Sequence, residues 1–249
     1  MTGVTLPAVL LHGFAGTGRS WDAVRAELGP EGPAVVAPDL PGHGTRANER
    51  PVSFESCVRA VLDEAPPEFV LCGYSMGGRI ALHVALAAPE RVRAVVLVSA
   101  TAGIEDPGER GVRRDADAAL ADATERGSID EFIEAWSAQP LFGDDPSEVM
   151  AAWHDDMRRN DPAGIAAALR GAGTGVMTPL WDRLTELTMP AQVLAGERDA
   201  KYVEVAERLT SGLPSATLTV VPRAGHALPR VAPSAVGEAL RAASAGSRQ

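Results

Sequence analysis

Gly73-Tyr74-Ser75-Met76-Gly77-Gly78 lies between the apolar run Glu68-Phe69-Val70-Leu71-Cys72 and a stretch of helix formers, Arg79 to Ala88, that Pro89 stops. A short apolar run of this kind suits a strand buried on both faces, and a Pro after a helix-forming run marks its end. Gly-x-Ser-x-Gly between strand and helix is the pattern of a nucleophile elbow. The reason is steric. A strand turns into a helix within one residue only when its neighbours carry no Cβ, and the Ser is then held strained and exposed at the tip.

Outward from the elbow, the same alternation repeats. Val9-Leu10-Leu11 reads as a strand running into the loop His12-Gly13-Phe14-Ala15-Gly16, with a helix from Ser20, as N-cap, to Leu28. Ala34 to Pro38 reads as a second strand, ending in Asp39-Leu40-Pro41-Gly42-His43-Gly44, and a helix follows from Ser53 to Ala65. Ala94 to Ser99 is the next buried strand. Strand and helix in alternation predict an α/β fold, a mostly parallel, doubly wound sheet.

After Ala100 the rhythm changes. From Thr101 to Thr188 the pattern is helical throughout, with a capping box at Ser128-Ile129-Asp130-Glu131. Asp145-Pro146 and Asp161-Pro162 each read as an N-cap followed by Pro at the first helical position. Strands resume at Ala191 to Ala195 and Thr217 to Val221, with helices from Val203 to Leu209 and Ser234 to Ala243 and a frayed C-terminus. The expected organisation is a core of residues 1–100 and 189–249 carrying an all-helical lid, 101–188, over the strand ends where ligands bind.

Composition bounds the partners. With 45% hydrophobic and 22% charged residues, the 249-residue chain has the make-up of a soluble globular protein. A net charge of −10 argues against nucleic acid and anionic membrane as partners, but not against an anionic small molecule held by a local field. No apolar run is long enough to span a bilayer, and Met1 to Pro7 lacks the basic-then-apolar pattern of a secretory leader. Two cysteines, Cys57 and Cys72, form no disulfide framework, so a reducing cytoplasm is expected. Neither metal nor cofactor is called for, and the oligomeric state stays open.

A Ser hydroxyl becomes reactive when a His takes its proton and an acid orients that His. On this architecture the partners follow in the order Ser, acid, His, at strand ends. Of five His, His226 alone follows both the Ser and the acid, in a turn after the last strand. His12 and His43 sit in loops that they would hold by hydrogen bonds, His83 in the elbow helix and His154 in the lid. Glu197 and Asp199 both follow the strand ending at Ala195. Asp199 is favoured as the orienting acid, although a carboxylate there also suits a helix N-cap. Two backbone N–H groups, of Met76 just after the Ser and of Phe14 in the first loop, stand where an oxyanion hole needs them. Cations then suggest the substrate. Arg79 is one helical turn beyond Ser75, Arg113 and Arg114 open the lid, and Lys201 follows Asp199. Together they fit a substrate with carboxylates. Tyr74 flanks the Ser, and Trp136 either roofs the site or packs within the lid.

His12-Gly13-Phe14, Asp39 to Gly44 and the elbow resemble the α/β-hydrolase fold along nearly the whole chain. Within it, Gly73 to Leu82, Trp136-Ser137-Ala138-Gln139-Pro140-Leu141-Phe142 and Gly196-Glu197-Arg198-Asp199-Ala200-Lys201-Tyr202 resemble the 2-succinyl-6-hydroxy-2,4-cyclohexadiene-1-carboxylate synthases, lyases of menaquinone biosynthesis. The resemblance implies elimination of pyruvate from an enolpyruvyl cyclohexene carboxylate. Ser75, with His226 and Asp199, would be a general base forming no acyl-enzyme. It also implies that Arg79, Trp136 and a lid arginine bind the substrate's carboxylates, with spacing to Asp117 favouring Arg113 over Arg114. Two departures stand out: Ser137 where the family commonly has an aromatic, and Val231 where it often has Glu. A hydrolase of esters or carbon–carbon bonds would use the same triad, and a receptor with vestigial catalysis is the third alternative.

Overall fold

In the computed structural model, residues 5–143 and 145–245 are described. The last four residues of the end expected to be frayed, and the first four of the segment read for a leader, lie outside them. Six strands, β1 (Ala8–Leu11), β2 (Val35–Val36), β3 (Phe69–Tyr74), β4 (Val92–Val98), β5 (Ala191–Gly196) and β6 (Ala216–Val221), form one sheet. Their order is β2-β1-β3-β4-β5-β6, and every neighbouring pair is parallel. The sheet is the doubly wound one the alternation predicts.

The apolar runs are continuous because the central strands face helices on both sides. Val9 and Leu11 of β1, Leu71 of β3 and Val95 and Leu97 of β4 pack into one core. That core also takes α2 (Phe54–Glu64), α3 (Met76–Ala87) and α8 (Ala200–Gly212). The alternate residues Ala8, Leu10, Val70, Cys72, Val96 and Val98 pack on the opposite face against α1 (Asp22–Leu28), α9 (Leu228–Val231) and α10 (Pro233–Ala245). Period two in the strands thus sorts one apolar string into two cores.

Between β4 and β5 the chain is helical: α4 (Pro107–Arg126), α5 (Ile129–Ser137), α6 (Ser147–Met157) and α7 (Pro162–Ala172). Phe132 and Ile133 of α5 pack with Trp153 and Met157 of α6 and Ile165 of α7 in a small core that also takes Ala15 of the loop after β1. The two ends of this excursion meet. Leu180 N–H donates to Ala102 O at 2.8 Å, and the Trp181 indole N–H donates to Gly103 O at 2.9 Å.

Local signals were accurate where the cap bonds within its own turn. Ser53 and Ser128 each form a capping box, and Asp161 accepts from Ala163 and Gly164 N–H ahead of Pro162. Two expected caps fail, because each side chain bonds elsewhere. Thr17, not Ser20, caps the 3₁₀ turn Gly18–Trp21 that leads into α1, while Ser20 Oγ donates to Asp156 at 2.6 Å. Asp145 does not cap α6; its Oδ2 accepts from Arg230 Nε and Nη2, at 3.0 and 2.7 Å. The second strand is also shorter than expected, two residues rather than the run to Pro38. A Pro has no N–H to continue the ladder.

Candidate active site

Ser75 stands between β3 and α3 with φ 51° and ψ −109°, a left-handed conformation costing about 1–3 kcal/mol for a residue with a side chain. Its surroundings impose it. A Cβ on Gly73 would come within 2.3 Å of Gly77 O, and one on Gly77 within 2.1 Å of Leu11 O. Ser75 N–H donates to Val98 O, and Gly78 and Arg79 N–H donate to Ser75 O. The side chain is left facing His226, whose Nε2 is 3.2 Å from Ser75 Oγ. His226 Nδ1 is 2.7 Å from Asp199 Oδ2. A carboxylate accepting there fixes the proton on Nδ1 and leaves Nε2 to accept from the Ser hydroxyl.

Asp199 serves two roles that sequence reading had set against each other. Its Oδ1 accepts from Tyr202 N–H at 3.4 Å, capping α8, while Oδ2 faces His226. Glu197 is occupied in the turn that delivers the His, where its Oε2 accepts from Arg223 N–H at 2.7 Å. Ser99, which sequence reading missed, donates from Oγ to His226 O at 2.8 Å and fixes the His backbone.

Phe14, in the loop after β1, and Met76, the first residue of α3, line the same cavity as Ser75. Among the described residues neither N–H has a hydrogen-bond partner. His12 and His43 hold this loop. His12 Nε2 accepts from Leu40 N–H at 3.0 Å, and His43 Nε2 accepts from Ala15 N–H at 3.2 Å. Both are fully buried, and burial lowers both pKa values, that of His43 to about 3. Unfolded, each returns to about 6.5, so the unfolded state binds more protons between those values. Stability is therefore expected to be complete above pH 6.5 and to fall as the pH drops toward 3. Urea midpoints at pH 7 and pH 5 measure it. An unchanged midpoint would mean that neither imidazole is held neutral.

Ser75, His226, Phe14 and Met76 open onto a cavity of about 670 Å³. Tyr74, Arg79, Arg113 and Trp136 line it, as expected, together with Phe142, Trp153, Tyr202 and Arg230, which were not foreseen. Lys201 does not. It is exposed on the first turn of α8, and Tyr202 faces the cavity instead. Adjacent helical residues point about 100° apart, so α8 turns only one of the pair inward. Arg114 is likewise exposed, beside Asp115.

The cations differ in their surroundings. Arg79 is 6% exposed, and its Nη1 donates to Ala172 O at 2.7 Å. Among the described residues no carboxylate lies within ion-pair distance of it. Burial, aided by Arg113 nearby, draws its pKa down to about 10. Arg113 Nε donates to Asp117 Oδ1 at 2.8 Å, and Asp117 Oδ2 is buried without a partner. Tyr202 packs on the His226 ring at 4.4 Å, and burial raises its hydroxyl pKa. Trp136 both lines the cavity and packs among neighbouring rings. It packs on Phe14 at 4.8 Å and Phe132 at 5.9 Å, while its indole N–H, buried and unpartnered, belongs to a ring lining the cavity. Arg230 stacks over Trp153 at 3.9 Å while holding Asp145. Its place four residues after His226 was the one available signal.

A Ser-His-Asp constellation on a parallel sheet, roofed by helices, defines an enzyme class, and the family model agrees. The chain belongs to the alpha/beta hydrolase family, whose model matches residues 8–239. Among curated proteins it is 35% identical, over 230 residues, to a putative 2-succinyl-6-hydroxy-2,4-cyclohexadiene-1-carboxylate synthase of Bacillus subtilis, covering 88% of this chain and 82% of that one. It is 31% identical to the synthase of that name from Enterobacter sp., covering 93% and 89%. Among solved structures, MenH from S. aureus superposes with a TM-score of 0.90 at 27% identity, covering 100% of this chain and 96% of that one. A malate-bound thermophilic esterase from Thermogutta terrifontis follows with 0.83 at 27%, covering 96% and 89%. The chain is thus an enzyme on the α/β-hydrolase fold, with 2-succinyl-6-hydroxy-2,4-cyclohexadiene-1-carboxylate synthases among its relatives. No helix among the described residues is long and apolar enough to cross a membrane.

Proposed function

We propose that this enzyme eliminates pyruvate from an enolpyruvyl cyclohexene carboxylate to give 2-succinyl-6-hydroxy-2,4-cyclohexadiene-1-carboxylate, with Ser75 as the base. The observation that carries it is Arg79: a buried guanidinium with no carboxylate partner among the described residues, one helical turn from Ser75, in a chain related to those synthases. Burying such a charge is costly unless a ligand pairs with it. A polyanionic substrate supplies that pair. The malate in the related esterase is itself a dicarboxylate.

The product's name dictates the chemistry. Its acyl group is on ring carbon 2, and its double bonds start at carbons 2 and 4, so the proton lost came from the carbon beside the acyl carbonyl. His226 takes the Ser75 proton, Asp199 steadies the imidazolium, and Ser75 Oγ removes the ring proton. The C–H electron pair forms an enolate, whose oxygen the Phe14 and Met76 N–H groups stabilise. As it collapses the ring double bond shifts, the carbon–oxygen bond to the enolpyruvyl group breaks, and pyruvate leaves as its enolate to be protonated. Arg79 and Arg113 hold carboxylates, Trp136 offers its indole N–H, and Tyr74 flanks the base. Residues 101–188 act as the lid. The buried thiols Cys57 and Cys72 suit a reducing cytoplasm.

Ester hydrolysis is the second reading, favoured by the likeness to the esterase. Following pyruvate release from the enolpyruvyl substrate, beside turnover of a p-nitrophenyl ester, separates the two. Pyruvate release is expected. Rapid ester cleavage without it would overturn the proposal.

A further inference from the structure

We propose that Asn160 and Asp156, on the helical segment between β4 and β5, are positioning residues that set the orientation of the Phe14 N–H. The oxyanion pocket is then assembled from the lid as well as from the core. This rests on Phe14 N–H being an oxyanion donor.

Gly16 N–H donates to Gly13 O at 3.1 Å, closing a turn with Phe14 and Ala15 at its centre. Ala15, the third residue of that turn, has φ 61°. Positive φ at this position suits Gly or Asn, and for Ala it costs on the order of 1 kcal/mol, so the surroundings must hold it. Two groups grip it from opposite sides. From the core, His43 accepts from Ala15 N–H at 3.2 Å; from the other layer, Asn160 Nδ2 donates to Ala15 O at 2.8 Å.

Asn160 is 7% exposed, and both polar atoms of its side chain are engaged. Nδ2 also donates to Met157 O at 3.0 Å, and Oδ1 accepts from Gly44 N–H at 2.9 Å. Two carbonyls and one N–H around one amide permit a single orientation. Four residues earlier, in the last turn of α6, the 8%-exposed Asp156 accepts from Thr17 N–H at 3.0 Å, from Thr17 Oγ1 and from Ser20 Oγ at 2.6 Å. Between Gly13 and Ser20 the loop is thus tied at three residues to a pair of side chains about 140 positions away. These ties explain why Ser20 is not a helix cap.

Plain adhesion between lid and core would use the same bonds, so the test reads the chemistry. Asn160→Asp keeps the shape but turns a carboxylate oxygen toward two carbonyls. It is expected to lower kcat for pyruvate release about 10–100-fold, with KM and product Kd within about threefold of wild type. Sulfonylation of Ser75 by phenylmethylsulfonyl fluoride, followed by intact mass, is expected to slow by a similar factor, because its transition state also places charge on an oxygen. Should this variant not fold, Asn160→Ala, which only deletes the amide, is read by the same criteria. A folded variant with kcat and labelling rate within about twofold of wild type overturns the inference, as does a loss confined to KM. If wild type releases no pyruvate, the proposed reaction fails, while the labelling rates still decide the role of Asn160. A wild type that resists labelling removes the oxyanion pocket and this inference with it.

Discussion

Replacing Arg79 by Met is expected to cost about 2–5 kcal/mol in kcat/KM for the enolpyruvyl substrate while leaving the melting temperature unchanged or higher. The two halves follow from one observation. A guanidinium 6% exposed, bonded to one backbone carbonyl and drawn down to about pKa 10, sits in the free protein at a net cost. An apolar side chain of similar length relieves that cost, as replacements of buried ionic groups often do. The substrate carboxylate then loses its counter-charge, and the loss appears as activity. An arginine serving only the fold would behave in the opposite sense: Met would lower the melting temperature and spare kcat/KM. Thermal unfolding and steady-state kinetics on the same preparation distinguish them.

Ser75→Ala is expected to reduce kcat for pyruvate release by roughly 10⁴ or more, with product Kd within a few-fold of wild type. No other described side chain reaches His226 Nε2, so nothing can inherit the proton. Asp199→Asn should approach the same loss by another route. An amide nitrogen facing His226 Nδ1 favours the tautomer that places the proton on Nε2, where it can no longer accept from Ser75. Binding should persist because Arg79 and Arg113 do not depend on the triad. Unchanged turnover in Ser75→Ala would hand the proton abstraction to another group. Intact binding and an intact biological effect would instead favour a receptor.

What the sequence could reveal follows from how far each bond reaches. The elbow was readable because Gly73, Ser75 and Gly77 impose their constraint within five residues. His226 was readable because strand order leaves it a single place. The rule of order asks for an acid after Ala195 without separating Asp199 from Glu197; what separates them is that Glu197 is engaged with Arg223 N–H while Asp199 faces His226. Other features escaped because their partners are remote in the chain. Asp145 looks like a helix cap until Arg230, 85 positions away, takes its carboxylate. Ser20 looks like one until Asp156, 136 positions away, does the same. Lys201 draws notice in the sequence by its charge, and Tyr202 escapes it, since one helical step in azimuth is invisible without knowing where α8 begins.

The bond between Ala102 and Leu180 has an evolutionary consequence. A chain excursion whose ends meet makes little demand on the sheet beneath it, and loop closure grows only slowly costlier with length. Recombination could therefore exchange everything between those two residues and keep Ser75, Asp199 and His226 in place. It would replace Arg113 and Trp136, and so redraw which molecules are accepted. Asn160 and Asp156 limit that freedom. A transplanted cassette that omits them would arrive with new specificity and a loosened Phe14 turn, so lineages diversifying by this route should have had to reinvent the grip before turnover recovered.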